Sequence, residues 1–155
     1  MIVLPTEIEL ATTTSSVLAD TAFLMTELDA DEAPAGPGWL HAAVGFQAAL
    51  GGRLVLSMQK GIAIQAAADM LCTEPNDPEA GAQAAGAVLE LANVLTSVVI
   101  ARVFGGDAKW QFGIPERLDE CPLATANQLS YSATLRNDAA QRVRVLLLLG
   151  KGANA

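Results

Sequence analysis

From residue 79 to residue 104 the chain is mostly Ala, Val, Leu and Ile, and a polar or small residue interrupts it at a regular step: Glu79, Gln83, Gly86, Glu90, Asn93, Ser97. The successive gaps are 4, 3, 4, 3 and 4 residues, which places all six along one face of an α-helix. Start and stop signals bracket the run. Asp77 suits an N-cap, Pro78 the first helical position and Glu79 the positive end of the dipole, while Gly105-Gly106 follows as a terminator. The pattern predicts one helix over 79–104, apolar around most of its circumference. Its single polar stripe is the natural candidate for solvent exposure.

The rest of the pattern is less uniform. Residues 6–28 carry a helical spacing in which Ile8, Leu18, Ala22, Leu24 and Met25 share a face, although Ser and Thr at 12–16 compete for backbone hydrogen bonds. Prolines and glycines among the acids of 29–38 read as a loop. Strands are expected at 39–47 and 53–59, joined through Gly51-Gly52 as a hairpin. A short amphipathic helix at 60–71 follows and is broken by 72–77. Beyond the long helix, 109–114 reads as a strand ended by Pro115. Residues 128–136 alternate as a second strand, Asn137-Asp138 turns, and 141–149 completes a terminal hairpin. Grouped rather than alternating elements indicate an α+β fold, with a largely antiparallel sheet under the long helix. No internal repeat is evident. Leu146 to Leu149 are apolar on both faces of the last strand. Its end is therefore expected to be buried on both sides, by the chain's own helices or at a homodimer interface.

Composition narrows the function. A length of 155 residues fits one domain spanning 1–155 and supports a core without disulfides or metals. Seventeen acidic residues against nine basic ones give a net charge of −8, which repels a phosphate backbone and argues against nucleic acid as partner. Cys72 and Cys121 form no metal or redox motif and read as free thiols of a reduced compartment. The first residues have neither a basic region nor a long apolar run, and the longest unbroken aliphatic run, 145–149, is too short for a bilayer. A cytoplasmic protein with no membrane partner is the expectation. His41, the single histidine, has no identifiable base partner and reads as a structural residue. Trp39 and Trp110 read as core anchors, and Asp119-Glu120 as solvated surface.

The stripe on the long helix carries the remaining chemistry. A polar face alone is what any amphipathic helix requires. Asn93 and Gly86, however, are poor helix residues, less favourable than Ala by up to roughly 0.7 and about 1 kcal/mol respectively. Gly86 also lets a partner's backbone come close. Glu90-Leu91-Ala92-Asn93 has the form ExxN, on a long helix that ends in glycines and is followed by a strand and Pro115. Upstream, Val44-Gly45-Phe46 leads through Gly51-Gly52 into Leu54-Val55-Leu56-Ser57. In these residues, and in the order of elements over nearly the whole chain, the sequence resembles the CheX-like members of the CheC/CheX family of chemotaxis phosphatases. Two features depart from that pattern: Gly86 stands where Asp or Ser is frequent, and 21 residues separate Asn93 from Pro115, one fewer than in the motif.

The resemblance implies a CheX-like α+β fold, with an antiparallel sheet packed by a long central helix and shorter helices. It implies hydrolysis of the aspartyl phosphate of a phosphorylated, CheY-like response-regulator receiver domain. Asn93 would orient the attacking water and Glu90 would contact the receiver's active-site lysine, with Gly86 and Ser97 completing the partner-binding face. No cofactor of its own is implied, Mg2+ belonging to the receiver, and a homodimer is. Two other readings stay open. One is a non-catalytic module of the same fold that binds receivers or other signalling partners. The other is a structural dimerisation domain in which ExxN is fortuitous.

Overall fold

In the long strands, nearly every second residue is an apolar one, aliphatic or aromatic, that faces the same way, and this decides the layering. A computed structural model describes residues 2–30, 36–106 and 109–150. Its elements are α1 (Glu7–Ala22), β1 (Glu27–Asp29), β2 (Trp39–Gln47), β3 (Gly51–Gln59), α2 (Lys60–Leu71), α3 (Pro78–Ala82), α4 (Ala84–Phe104), β4 (Gln111–Phe112), β5 (Glu116–Leu118), β6 (Gln128–Arg136) and β7 (Arg142–Gly150). Among the described residues the strands form one seven-stranded sheet in the order β1-β6-β7-β3-β2-β4, with β5 also on β2. Every pairing is antiparallel. The expected α+β class and antiparallel sheet are those observed.

Leu54, Leu56 and Met58 of β3, with Val143, Val145 and Leu147 of β7, point to the face covered by the helices. There they meet Leu10 and Leu18 of α1, Ile62 of α2, and Leu91, Leu95 and Ile100 of α4. α4 lies over β2 and β3 with α1 and α2 against it. It is long and apolar enough by length and composition to cross a membrane, a point that counting unbroken aliphatic runs misses. In this fold Leu91, Leu95 and Ile100 are buried at 1 % exposure or less.

The end of β7 is buried on both sides by this chain. Leu147 and Leu149 belong to the helix-side core, while Leu146 and Leu148 face outward into a small cluster with Ala43 and Val55 beneath Leu118 and Cys121. The outer cover is thus β5 and the segment after it, not a helix, and a second chain is not needed to explain the aliphatic run.

Several boundaries differ from the pattern-based expectation, each for a local reason. The first helix stops at Ala22, where Phe23 takes the left-handed conformation (φ 56°), its N–H donating to Ala19 O and the Leu24 N–H to Leu18 O. The chain then turns to lay β1 against β6. Ile8 and Met25, placed on the buried face by periodicity, are 66 % and 77 % exposed. The long helix is interrupted at Gln83 (φ −97°, ψ 3°), between Gly81 and Gly86, which weaken helix propensity on either side. The Gln83 N–H still bonds Glu79 O at 2.9 Å and the Ala87 N–H bonds Gln83 O at 2.9 Å, so the interruption is one residue deep. The Asp77 cap and Pro78 start are as expected, with Asp77 Oδ1 accepting from the Glu79 N–H at 2.9 Å. The strand expected at 109–114 shrinks to β4, and β5 is unanticipated. Pro115 between them has no N–H to give a ladder, which confines this segment to a broken edge.

The topology also contains a repeat that the sequence did not reveal. With β4 set aside, exchanging β1, β2 and β3 for β5, β6 and β7 reverses the strand order and leaves the pairing scheme unchanged. α1 precedes one half and α4 the other. Only one short stretch keeps a visible match: Glu9-Leu10-Ala11-Thr12 on α1 against Glu90-Leu91-Ala92-Asn93 on α4. In both, the central Leu-Ala pair is buried and the outer residues are exposed.

Candidate functional site

α4 presents its polar stripe because its other faces are committed. Leu91 and Ala92, between the two candidate residues, are both 0 % exposed and anchor this turn in the core. Glu90 and Asn93, one turn apart, are consequently turned to solvent together with Gly86. Neither the Glu90 nor the Asn93 side chain makes a hydrogen bond or ion pair to any described residue. A carboxylate and a carboxamide are thus held side by side on a rigid helix with their polar atoms uncommitted. Ser97, the fourth predicted partner-binding residue, differs: it is half-buried, and its hydroxyl donates to Val94 O at 2.7 Å. The structure brings Gly86, Glu90 and Asn93 onto one open face and leaves Ser97 at its margin.

Gly86 is not demanded by internal packing. A Cβ there would meet only Gln83 Oε1, at 3.4 Å, and that atom is the end of an exposed side chain. Gly86 instead forms part of a groove of about 270 Å³ between α2 and the start of α4, lined by Ala67, Met70, Leu71, Gln83, Ala87 and Glu90. Leu71, the last residue of α2, is 42 % exposed beside it. Met70 and Leu71 were missed by sequence reasoning, because a helical pattern does not say which neighbouring helix end will lie beside the stripe. The single available signal was that the pattern of α2 stops at Leu71 next to an acid-rich break.

The chain segment that forms α3 and most of α2 and α4 carries charge of one sign. Residues 61–101 contain Asp69, Glu74, Asp77, Glu79 and Glu90 and no Lys, Arg or His. Such a surface favours approach by a cationic group. Among the described residues no three His, Cys, Asp or Glu side chains gather where a metal ion would bind.

The other residues weighed from sequence lie elsewhere. His41 is buried on the outer face of the sheet, its Nδ1 2.7 Å from Ser57 Oγ. Burial lowers its pKa, partly opposed by the charge of Glu120. It is a hydrogen-bonded structural histidine, as expected. Trp110 packs against the helix-side core, but Trp39 does not anchor it: it is half-exposed, with the Arg142 guanidinium 5.9 Å from its ring centre. Trp39 sits at the start of β2 on the face away from the helices, so pleat parity overrides its hydrophobicity. Asp119 and Glu120 are exposed, and both cysteines are free.

Fold and site together define a class: an antiparallel α+β protein whose central helix displays a carboxylate and a carboxamide one turn apart. The family model described as chemotaxis phosphatase CheX matches residues 40–134, more than half of the chain and including Glu90 and Asn93, and the chain belongs to this family. Solved structures agree on the fold. A chemotaxis protein CheX from Desulfovibrio desulfuricans superposes with a TM-score of 0.69 at 18 % identity, over 90 % of this chain and 95 % of that one. CheX from Borrelia burgdorferi, in its complex with CheY, BeF3 and magnesium, gives 0.73 at 15 % identity, over 94 % and 98 %. A CheC-like superfamily protein from Shewanella sp. PV-4 gives 0.70 at 13 % identity, over 91 % and 95 %. No curated protein matches the chain by sequence.

Proposed function

We propose that this protein hydrolyses the aspartyl phosphate of a CheY-like response-regulator receiver domain. The observation that carries the proposal is the pair Glu90 and Asn93, exposed and with unpartnered side chains on a helix, in a segment, 61–101, that has no Lys, Arg or His. Membership of the family supports it, as does the Borrelia relative, whose structure is a complex with CheY.

The reaction asks little covalent work of the protein. Water oxygen attacks phosphorus in line, the bond from phosphorus to the aspartyl oxygen breaks, and the carboxylate and inorganic phosphate leave, one water proton passing to solvent. What limits the rate is the placement of that water. The Asn93 amide accepts a water O–H at Oδ1 and donates from Nδ2 to a neighbouring oxygen, which fixes the direction of attack without acting as a base. Glu90 forms a charge-assisted contact with the receiver's lysine and sets the register of the two surfaces. Magnesium held by the receiver supplies charge neutralisation at the phosphoryl oxygens. The proposed setting is the cytoplasm, with this chain as a homodimer. Ile114 and Leu123, 90 % and 83 % exposed, are apolar surface that self-association would cover, and light scattering at micromolar concentration tests it.

The test is phosphate release from a phosphorylated receiver, with and without the protein. Acceleration that disappears in Asn93→Ala, with the thermal melt preserved, is expected. Receiver binding with no accelerated release by the wild-type protein would instead establish the non-catalytic module, the reading that Gly86 and the 21-residue separation of Asn93 from Pro115 favour.

A further inference from the structure

We infer that the groove between α2 and α4 is a receiver-selecting subsite, which takes one aliphatic or aromatic side chain flanked by lysine or arginine on the docked receiver. The inference rests on the reading of Glu90 as the docking residue, because Glu90 is also a wall of the groove. Its other walls are apolar: Ala67, Met70 and Leu71 of α2, and Ala87 of α4. At about 270 Å³ the groove has room for one aliphatic or aromatic side chain. Gly86 leaves it open on the α4 side, where, outside the helix's own backbone, only Gln83 Oε1 comes within 4 Å of a would-be Cβ.

Two features point to the occupant. First, the groove is continuous with the proposed catalytic face, since Glu90 and Leu71 both line it. Second, the groove's lining has one charged residue, Glu90, and the segment that builds it, residues 61–101, has five carboxylates and no Lys, Arg or His. A partner with an apolar side chain in an acidic setting would be repelled, and one in a basic setting is drawn in. Leu71 is then the anchor that distinguishes receivers, and Asn93 serves all of them alike. An exposed leucine beside a charged pair has the arrangement of a binding hot spot whose apolar centre is sealed by a polar rim.

The experiment uses the full chain with a receiver activated by beryllofluoride and magnesium for binding, and the same receiver phosphorylated for phosphate release. Leu71→Ala is expected to weaken binding about five- to tenfold, by loss of the apolar area that Leu71 buries on docking. It should raise the half-saturating receiver concentration by the same factor at unchanged maximal rate. Leu71→Met, which keeps the volume, is expected to retain wild-type affinity, and raising salt should weaken binding of both proteins. Thermal melts show that each variant is folded. If Leu71→Ala binds as the wild type does while Asn93→Ala loses hydrolysis, the groove inference is overturned and the catalytic reading stands. If the wild type binds without hydrolysing and Leu71→Ala weakens that binding, the catalytic reading fails and the groove is supported. Affinity independent of salt overturns the cationic flank of the proposed occupant.

Discussion

Replacing Gly86 by Ala separates what the fold needs from what a partner needs. Glycine in a helix is less stable than alanine by about 0.5–1 kcal/mol. Gly86 is the third residue of α4, just past the irregular Gln83, so the lower half of that range applies. Nothing in the interior resists the change, since outside the helix's own backbone the new methyl meets only the exposed end of Gln83, at 3.4 Å. For a chain of this size, 1 kcal/mol corresponds to about 2–4 °C in melting temperature, so Gly86→Ala is expected to melt roughly 1–3 °C higher. The same methyl narrows the groove on its α4 side and obstructs a closely approaching backbone. Half-saturating receiver concentration is therefore expected to rise while the maximal rate holds, because Asn93 lies seven residues further, about 10 Å along the helix. Melting and phosphate release measured on one preparation check both halves. A lower melting temperature would show that the fold itself requires this glycine. A higher one with unchanged half-saturation would show that no partner approaches it.

Three further outcomes follow from the geometry. Glu90→Ala is expected to raise the half-saturating receiver concentration more than it lowers the maximal rate, whereas Glu9→Ala, at the matching place on α1, is expected to change neither; equal losses in both variants would disprove the assignment to α4. Leu95→Ala, at a site 1 % exposed in the helix-side core, is expected to cost about 2–5 kcal/mol by cavity formation, measured by denaturant titration, and a cost below 1 kcal/mol would contradict the packing. His41 has its pKa lowered chiefly by burial, so below the ordinary histidine value near 6.5 the unfolded chain binds the proton more readily than the folded one. Its contribution to stability is complete above that value and is lost as pH falls towards the folded pKa. The denaturation midpoint is expected to fall between pH 7.5 and pH 5 by more in the wild type than in His41→Asn, which keeps a partner for Ser57; equal slopes would refute it.

Local periodicity determined most of this protein. The stripe at steps of three and four was legible because an isolated polar face on an apolar helix has one place to go, and Glu90 and Asn93 went there. The Asp77-Pro78 start and the alternation in β6 were equally local; the β2–β3 hairpin formed as expected, but it turns at 48–50 and Gly51-Gly52, read as its joint, are the first paired residues of β3. The tertiary structure alone decided three things. It set which side of the sheet the helices cover, so that Trp39 lies on the outer face and the end of β7 is sealed by Leu118 and Cys121. It ended α1 at Ala22 so that β1 could pair with β6, leaving Met25 exposed. It brought Leu71 beside Gly86 and Glu90, fifteen and nineteen residues apart in sequence. The physical reason is the range of the forces involved. Caps, turns and helical spacing act over a few residues and are written into the chain, while strand order and the meeting of two helix ends depend on which surfaces exclude water together, and only the assembled core fixes that.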